Sequence, residues 1–162
     1  MQEIGVVGGG AWGTALAAVA AAGGLVTIWA REPEVVEAIN RGHVNSKFLA
    51  DISLPPSLRA TSDLAEVCAA DALLLAVPAQ FVRGVTTTMA KNVSSATPIV
   101  ICAKGIEQES GALMSEVLEA TLPSTTVAVL SGPTFAAEVA RGQPTAVTLA
   151  CGDEGVSDAL LQ

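Results

Sequence analysis

Short apolar runs alternate with amphipathic stretches along the whole chain. Ile4-Gly5-Val6-Val7 is a compact apolar run, of a length that suits a buried strand. Gly8-Gly9-Gly10 ends it. The Ala-rich stretch 14–22 reads as a helix, with Gly23-Gly24 as its stop. Leu25-Val26-Thr27-Ile28-Trp29 is a second strand, and Pro33 opens a helix that continues over 34–40 and closes at Arg41-Gly42-His43. Residues 45–56 carry Phe48 and Leu49, end in two prolines and read as a loop. Then come a short strand over 58–61 and a brief helix to Ala69, capped by Ser62 or Asp63. A buried strand over 72–77 stops at Pro78, and a helix is expected over 81–91. The remaining pattern predicts a strand at 98–102, a helix at 111–122 and a strand at 127–130. A helix at 135–141, stopped by Gly142, a last strand at 145–150 and the start of a helix at 156–161 complete it.

This alternation predicts an α/β fold with a mainly parallel sheet. A strand joined to a second strand through one short helix implies a right-handed parallel crossover. The glycines narrow the class. Gly8, Gly10 and Gly13 satisfy G-x-G-x-x-G between a strand and a helix, the fingerprint of a Rossmann-like, doubly wound dinucleotide-binding domain. Each glycine has a physical role. Gly8 allows the sharp turn, Gly10 lets a pyrophosphate approach the backbone, and Gly13 permits close helix–strand packing. A positive φ at Gly10 is a further expectation. The helix that follows aims its free N–H groups and positive dipole end at the phosphates.

Composition changes the picture in three ways. The 162 residues are 51% hydrophobic and 15% charged, enough for one well-buried domain rather than a disordered chain. The net charge of −8 argues against nucleic acid or anionic lipid as a partner, so an anionic ligand needs local cations and backbone N–H groups. The longest apolar runs are about eight residues, too short for membrane insertion. Cys68, Cys102 and Cys151 are scattered and without metal spacing, which fits a reduced, cytoplasmic setting. The chain ends as a helix begins, which reads as a domain cut from a longer protein.

Ligands of open parallel sheets bind beyond the carboxyl ends of the strands. Five stretches fall there: the glycine turn, Trp29-Ala30-Arg31, Val77-Pro78-Ala79-Gln80-Phe81, Ala103-Lys104-Gly105 and Ser131-Gly132-Pro133-Thr134. Sites selective for NAD carry an acid about 20 residues after the glycines. Here the strand tip holds Arg31, which can pair with a 2′-phosphate; Glu32 reads as part of the next helix's first turn. Lys104 can hold a phosphate or polarise a carbonyl, or be a plain surface lysine. Trp12 and Phe81 can flank a cofactor or simply pack. His43, the single histidine, sits at a helix end where a cation is favourable anyway. Cys68 and Cys102 read as core. Ser131 lacks a nucleophile-elbow context.

Gly8-Gly9-Gly10-Ala11-Trp12-Gly13-Thr14-Ala15 resembles the opening of the bacterial NAD(P)-dependent sn-glycerol-3-phosphate dehydrogenases. The spaced set Asn45…Phe48-Leu49, Val77-Pro78-Ala79-Gln80-Phe81, Lys104-Gly105-Ile106-Glu107 and Ser131-Gly132-Pro133-Thr134-Phe135-Ala136-Ala137-Glu138 does so in order across the chain. The resemblance implies hydride exchange between dihydroxyacetone phosphate and sn-glycerol 3-phosphate for phospholipid synthesis. It implies a cofactor site of Gly8, Gly10, Ala11, Trp12, Gly13, Arg31, Phe81, Lys104 and Ala136, taking NADPH in preference and NADH as well. It implies substrate contacts from Lys104, Gly132 and Thr134, and is compatible with a homodimer. The family's acid/base lysine belongs to an all-helical second domain, which the resemblance puts beyond Gln162. No catalytic residue is therefore expected within the 162 residues, and the chain alone is expected to be inactive. A related hydroxy-acid reductase and a non-enzymatic redox-sensing module remain as alternatives.

Overall fold

Strands and helices alternate in the computed structural model, which describes residues 2–161. Gln162, the position beyond which the acid/base lysine is expected, lies outside the described residues. The order is β1 (Glu3–Val7), α1 (Ala11–Ala20), β2 (Leu25–Trp29), α2 (Pro33–Gly42), a hairpin of β3 (Val44–Asn45) and β4 (Leu49–Ser53), β5 (Leu58–Thr61), α3 (Leu64–Val67) and β6 (Ala72–Leu75). A single 3₁₀ turn, Ala79–Phe81, leads into α4 (Val82–Met89); then follow β7 (Ile99–Ile101), α5 (Met114–Thr121), β8 (Val127–Ser131), α6 (Ala136–Ala140), β9 (Thr148–Cys151) and α7 (Glu154–Leu160). Seven strands form one sheet in the order β5-β2-β1-β6-β7-β8-β9. All neighbours are parallel except β8 and β9. The chain winds outward from β1 to β5, then returns to the other side of β1 as β6. The switch point therefore lies between β1 and β6, where a doubly wound sheet opens its crevice.

Successive strand residues face opposite sides of the sheet, and the core divides accordingly. Val7, Leu73, Leu75, Ile99 and Ile101 pack with Val67, Val82, Met89, Val117 and Leu118 on the face covered by α3, α4 and α5. Val6, Val26 and Ile28 pack on the other face with Ala17, Val35 and Ile39 from α1 and α2. Leu16 of α1 also meets Val100, Cys102 and Ala128. The small side chains of α1 let it lie close over the middle of the sheet.

The sequence places most elements within a few residues, and the differences have identifiable causes. Helix α1 begins at Ala11, not Thr14, because Thr14 N–H already bonds to the Gly10 carbonyl at 2.9 Å. A glycine inside a helix costs about 1 kcal/mol relative to alanine, and close packing at Gly13 outweighs it. The stretch 45–56, read as a loop, contains all but Val44 of the β3–β4 hairpin, which pairs Val44 with Ser53 and Asn45 with Leu49. Its buried residues Leu49, Ile52 and Leu54 are separated by small or polar ones, so the run looks weak in sequence. The helix expected over 81–91 is preceded by the 3₁₀ turn and ends at Met89. Helix α5 starts at Met114 rather than Gly111, which takes φ +74° in the preceding turn; Glu116 Oε2 accepts from Leu113 N–H at 2.7 Å. The last strand is shifted to Thr148–Cys151. Of the two candidate caps of α3, Asp63 serves, accepting from Ala65 N–H at 2.9 Å.

Candidate functional site

The carboxyl ends of β1, β2, β6, β7 and β8 surround a cleft of about 630 Å³. Its floor is the glycine turn. Gly8 takes φ +128°, a conformation that a side chain would strain. Gly13 lies against this turn: a Cβ there would sit 1.9 Å from the Gly8 carbonyl oxygen, so only hydrogen fits. Gly10 is different. Its φ of −73° is ordinary, which corrects the expectation of a positive value. A Cβ on Gly10 would meet nothing within 4 Å; it would project into open space. Helix α1 starts one residue later, and its first N–H groups have no intrahelical partner. The loop thus presents unpartnered donors and a positive dipole end beside room for a phosphate. That is a fit for a dinucleotide pyrophosphate.

Of the residues named from the sequence, Gly8, Gly10, Ala11, Trp12, Arg31, Phe81, Lys104, Thr134 and Ala136 all line this cleft. Gly13 does not; it is buried beneath the turn. Gly132 does not line it either, but its carbonyl accepts from Lys104 Nζ at 3.0 Å. Lys104 also lies over the Trp12 ring, 5.7 Å from the centroid, and Trp12 Nε1–H donates to the Cys102 carbonyl at 3.2 Å. These contacts hold the ammonium at the junction of the α1 and β8 ends. Thr134 Oγ1 is shielded from solvent and has no hydrogen-bond partner among the described residues. A buried hydroxyl in that state costs free energy, and a ligand oxygen or N–H in the cleft would relieve it.

Arg31 leaves the tip of β2 with its side chain 71% exposed. Its guanidinium lies 5.9 Å from the Phe81 ring centroid, so the pair bridges the cleft mouth from β2 to the 3₁₀ turn. Glu32, read from sequence as first-turn decoration, is instead the N-cap residue of α2. It lines the cleft and its carboxylate meets Arg31 at 3.4 Å. The local charge is therefore mixed. Phe48 and Phe135, quoted in the sequence motifs but given no site role there, also line the cleft; Phe135 is 72% exposed.

The loop that carries Lys104 is tied to α4 and the 3₁₀ turn. Gln80 Nε2 donates to the Ile106 carbonyl at 2.9 Å, and Gln80 Oε1 accepts from Gln108 N–H at 2.9 Å. Arg83 makes two bonds to the Glu107 carboxylate, at 2.9 and 2.7 Å, and Ser110 Oγ donates to the same carboxylate. Hydrogen bonds from Arg83 and then Ser110 hold the Glu107 carboxyl below its ordinary value of 4.5. His43, in the left-handed region at φ 48°, closes α2 outside the cleft. Burial pushes the Cys102 thiol up to about 12 and the Cys68 thiol up to about 11, so neither offers a thiolate near neutral pH. Among the described residues there is no cluster of His, Cys, Asp or Glu suited to a metal ion, and no helix long and apolar enough to cross a membrane.

Residues 3–157 match the model of the family described as NAD-dependent glycerol-3-phosphate dehydrogenase N-terminus. The glycerol-3-phosphate dehydrogenase [NAD(P)+] of Parvibaculum lavamentivorans is 57% identical over 160 residues, which is 98% of this chain and 48% of that protein. The corresponding protein of Caulobacter vibrioides is 50% identical over 162 residues, covering 99% of this chain and 49% of its own. The crystal structure of glycerol-3-phosphate dehydrogenase from Coxiella burnetii superposes with a TM-score of 0.91 at 35% identity, over 98% of this chain and 49% of that one. The chain thus spans about half the length of the curated relatives it matches. A ketopantoate reductase from Ralstonia eutropha, at 22% identity and a TM-score of 0.61, shares the fold alone.

The Glu107 clamp makes a prediction with a defined sign. A carboxyl whose pKa is lowered on folding stabilises above its unfolded pKa, and that contribution is lost as pH falls through the folded value. Glu107→Gln is therefore expected to melt at a lower temperature than the parent at pH 7. The difference should close as the pH falls below the carboxyl's ordinary 4.5 and through its lowered folded value. Calorimetric scans of both proteins across pH test this; a difference independent of pH would mean that the charge of Glu107 does not fasten the loop.

Proposed function

The chain belongs to the family of the NAD-dependent glycerol-3-phosphate dehydrogenase N-terminus, and from that premise we propose that it binds NAD(P)(H) in the glycine-floored cleft and serves hydride exchange between dihydroxyacetone phosphate and sn-glycerol 3-phosphate. One observation carries the reading: nine residues named from separate parts of the sequence converge on a single cleft at the switch point of the sheet. When bound, a nicotinamide dinucleotide supplies the hydride. The protein's part is to hold, orient and neutralise. Gly8 and Gly10 with the start of α1 take the pyrophosphate. Trp12, Phe81 and Ala136 line the walls. Lys104, fixed by the Gly132 carbonyl and the Trp12 face, offers its free N–H groups to a substrate phosphate or carbonyl oxygen, and Thr134 Oγ1 supplies a second polar contact. A reduced, cytoplasmic setting is supported by three free cysteines, and a homodimer is compatible with the reading.

The resemblance assigns the acid/base lysine to a helical domain beyond Gln162, which the described residues do not form. The 162-residue chain should bind NADPH in a calorimetric titration and show no reduction of dihydroxyacetone phosphate. Turnover at the level of a complete dehydrogenase would refute the assignment of that lysine. Gly10→Val should abolish binding and leave the fold mostly intact, because a Cβ there meets nothing within 4 Å and the side chain would stand in the space left for the pyrophosphate. A variant that still binds would move the phosphate site elsewhere.

Preference for NADPH over NADH is part of this proposal and rests on Arg31. A charge-assisted hydrogen bond contributes roughly 1.5–3 kcal/mol. The side chain is largely exposed and Glu32 stands beside it, so solvent screening and the neighbouring acid place the effect at the lower end. Arg31→Ala should weaken NADPH binding about tenfold and leave NADH nearly unchanged. Equal losses for both would put Arg31 against the adenine ring or the pyrophosphate instead.

A further inference from the structure

Asn45 is far from the glycine turn in sequence and pressed against it in space. It is fully buried, at 0% exposure, at the end of β3. Its Nδ2 donates to the Gly9 carbonyl at 2.8 Å and to Thr14 Oγ1 at 2.7 Å. Its Oδ1 accepts from Phe48 N–H at 3.2 Å. One amide therefore ties together three parts of the site: the middle of the glycine turn, the first turn of α1, and the backbone of the aromatic residue on the cleft wall. Asn45 does not itself line the cleft.

The bond to Gly9 has a geometric consequence. No peptide bond among the described residues is cis. In a trans peptide the carbonyl of one residue and the N–H of the next point in opposite directions. Holding the Gly9 carbonyl toward Asn45 therefore turns the Gly10 N–H the other way, out of the protein. Without that tether, consecutive glycines can rotate this peptide at little steric cost. The side chain must be an amide. Leucine of similar size would leave the Gly9 carbonyl and the Thr14 hydroxyl buried without this donor, and aspartate would set a carboxylate against a carbonyl oxygen.

We propose that Asn45 is the positioning residue of the phosphate loop: its amide fixes the Gly9–Gly10 peptide so that the Gly10 N–H and the N-terminus of α1 are aligned before a pyrophosphate arrives. The proposal rests on the dinucleotide reading above and adds to it a residue that never touches the ligand. Affinity is gained through preorganisation, because the loop loses no further freedom on binding. The same amide couples the loop to Phe48.

The test compares a ligand that uses the loop with one that does not, in Asn45→Asp and Asn45→Ser. NADPH carries the pyrophosphate; adenosine 2′-monophosphate reaches only the Arg31 end. Each folded variant should raise the dissociation constant of NADPH about tenfold, equivalent to 1.4 kcal/mol, and leave that of adenosine 2′-monophosphate unchanged. Equal losses for both ligands, which a merely structural role would give, overturn the proposal, as does no loss for either. If neither variant folds, the parent decides: the Gly10 amide resonance must shift and gain exchange protection when NADPH is added, and an unmoved resonance overturns it. A parent chain that binds no NADPH at all refutes the dinucleotide reading itself, and this inference with it.

Discussion

The site depends on one close approach, that of the backbone of α1 to the end of β1. A Cβ on Gly13 would come within 1.9 Å of the Gly8 carbonyl oxygen, so the helix can start this near the strand only because hydrogen stands there. From that contact follow the turn at Gly8, the start of α1 at Ala11 and the direction of its free N–H groups. Leu16 and Ala17, one turn further on, are then delivered to both core clusters on their side of the sheet. Fold and glycine turn are fastened at the same atom pair.

Around that cradle an acidic protein assembles a locally mixed field. Two cations reach the cleft, Arg31 and Lys104, each resting on an aromatic ring. An aromatic face stabilises a cation without neutralising it, so both charges stay available to a ligand. Lys104 is the better held, since Gln80 of the 3₁₀ turn and the Arg83–Glu107 pair from α4 brace its loop while Gly132, just past β8, receives it. Arg31 is braced only by the neighbouring Glu32 carboxylate and the exposed Phe81 ring. The two ends of the cleft therefore differ in how many contacts hold their cations.

Much of this was legible in the sequence. The apolar runs marked the strands of the main sheet, because buried parallel strands are apolar on both faces. Glycine spacing marked the loop, and the rule that ligands sit beyond strand C-termini gathered Trp12, Arg31, Phe81, Lys104 and Thr134 on one rim. The β3–β4 hairpin escaped because the buried positions Leu49, Ile52 and Leu54 are interleaved with exposed ones and followed by two prolines. Glu32 escaped because one residue of uncertainty at a helix start decides whether a side chain belongs to the first turn or, at the N-cap position, faces the cleft.

Local order, then, was written in the chain: which segments extend, which coil, and where a side chain is forbidden. Spacing and apolar pattern act over a few residues, and elementary sterics suffices to read them. Pairings across long separations were decided by the tertiary structure alone. Asn45 meets Gly9 across 36 positions and Lys104 meets Gly132 across 28, and neither bond leaves a periodic signal. The same holds for the ordinary φ of Gly10, the orphaned hydroxyl of Thr134 and the antiparallel turn of β9 onto β8. A polar residue in sequence carries no mark of its partner, because its hydrogen bonds are chosen only when the sheet has closed and burial makes an unpaired donor or acceptor costly.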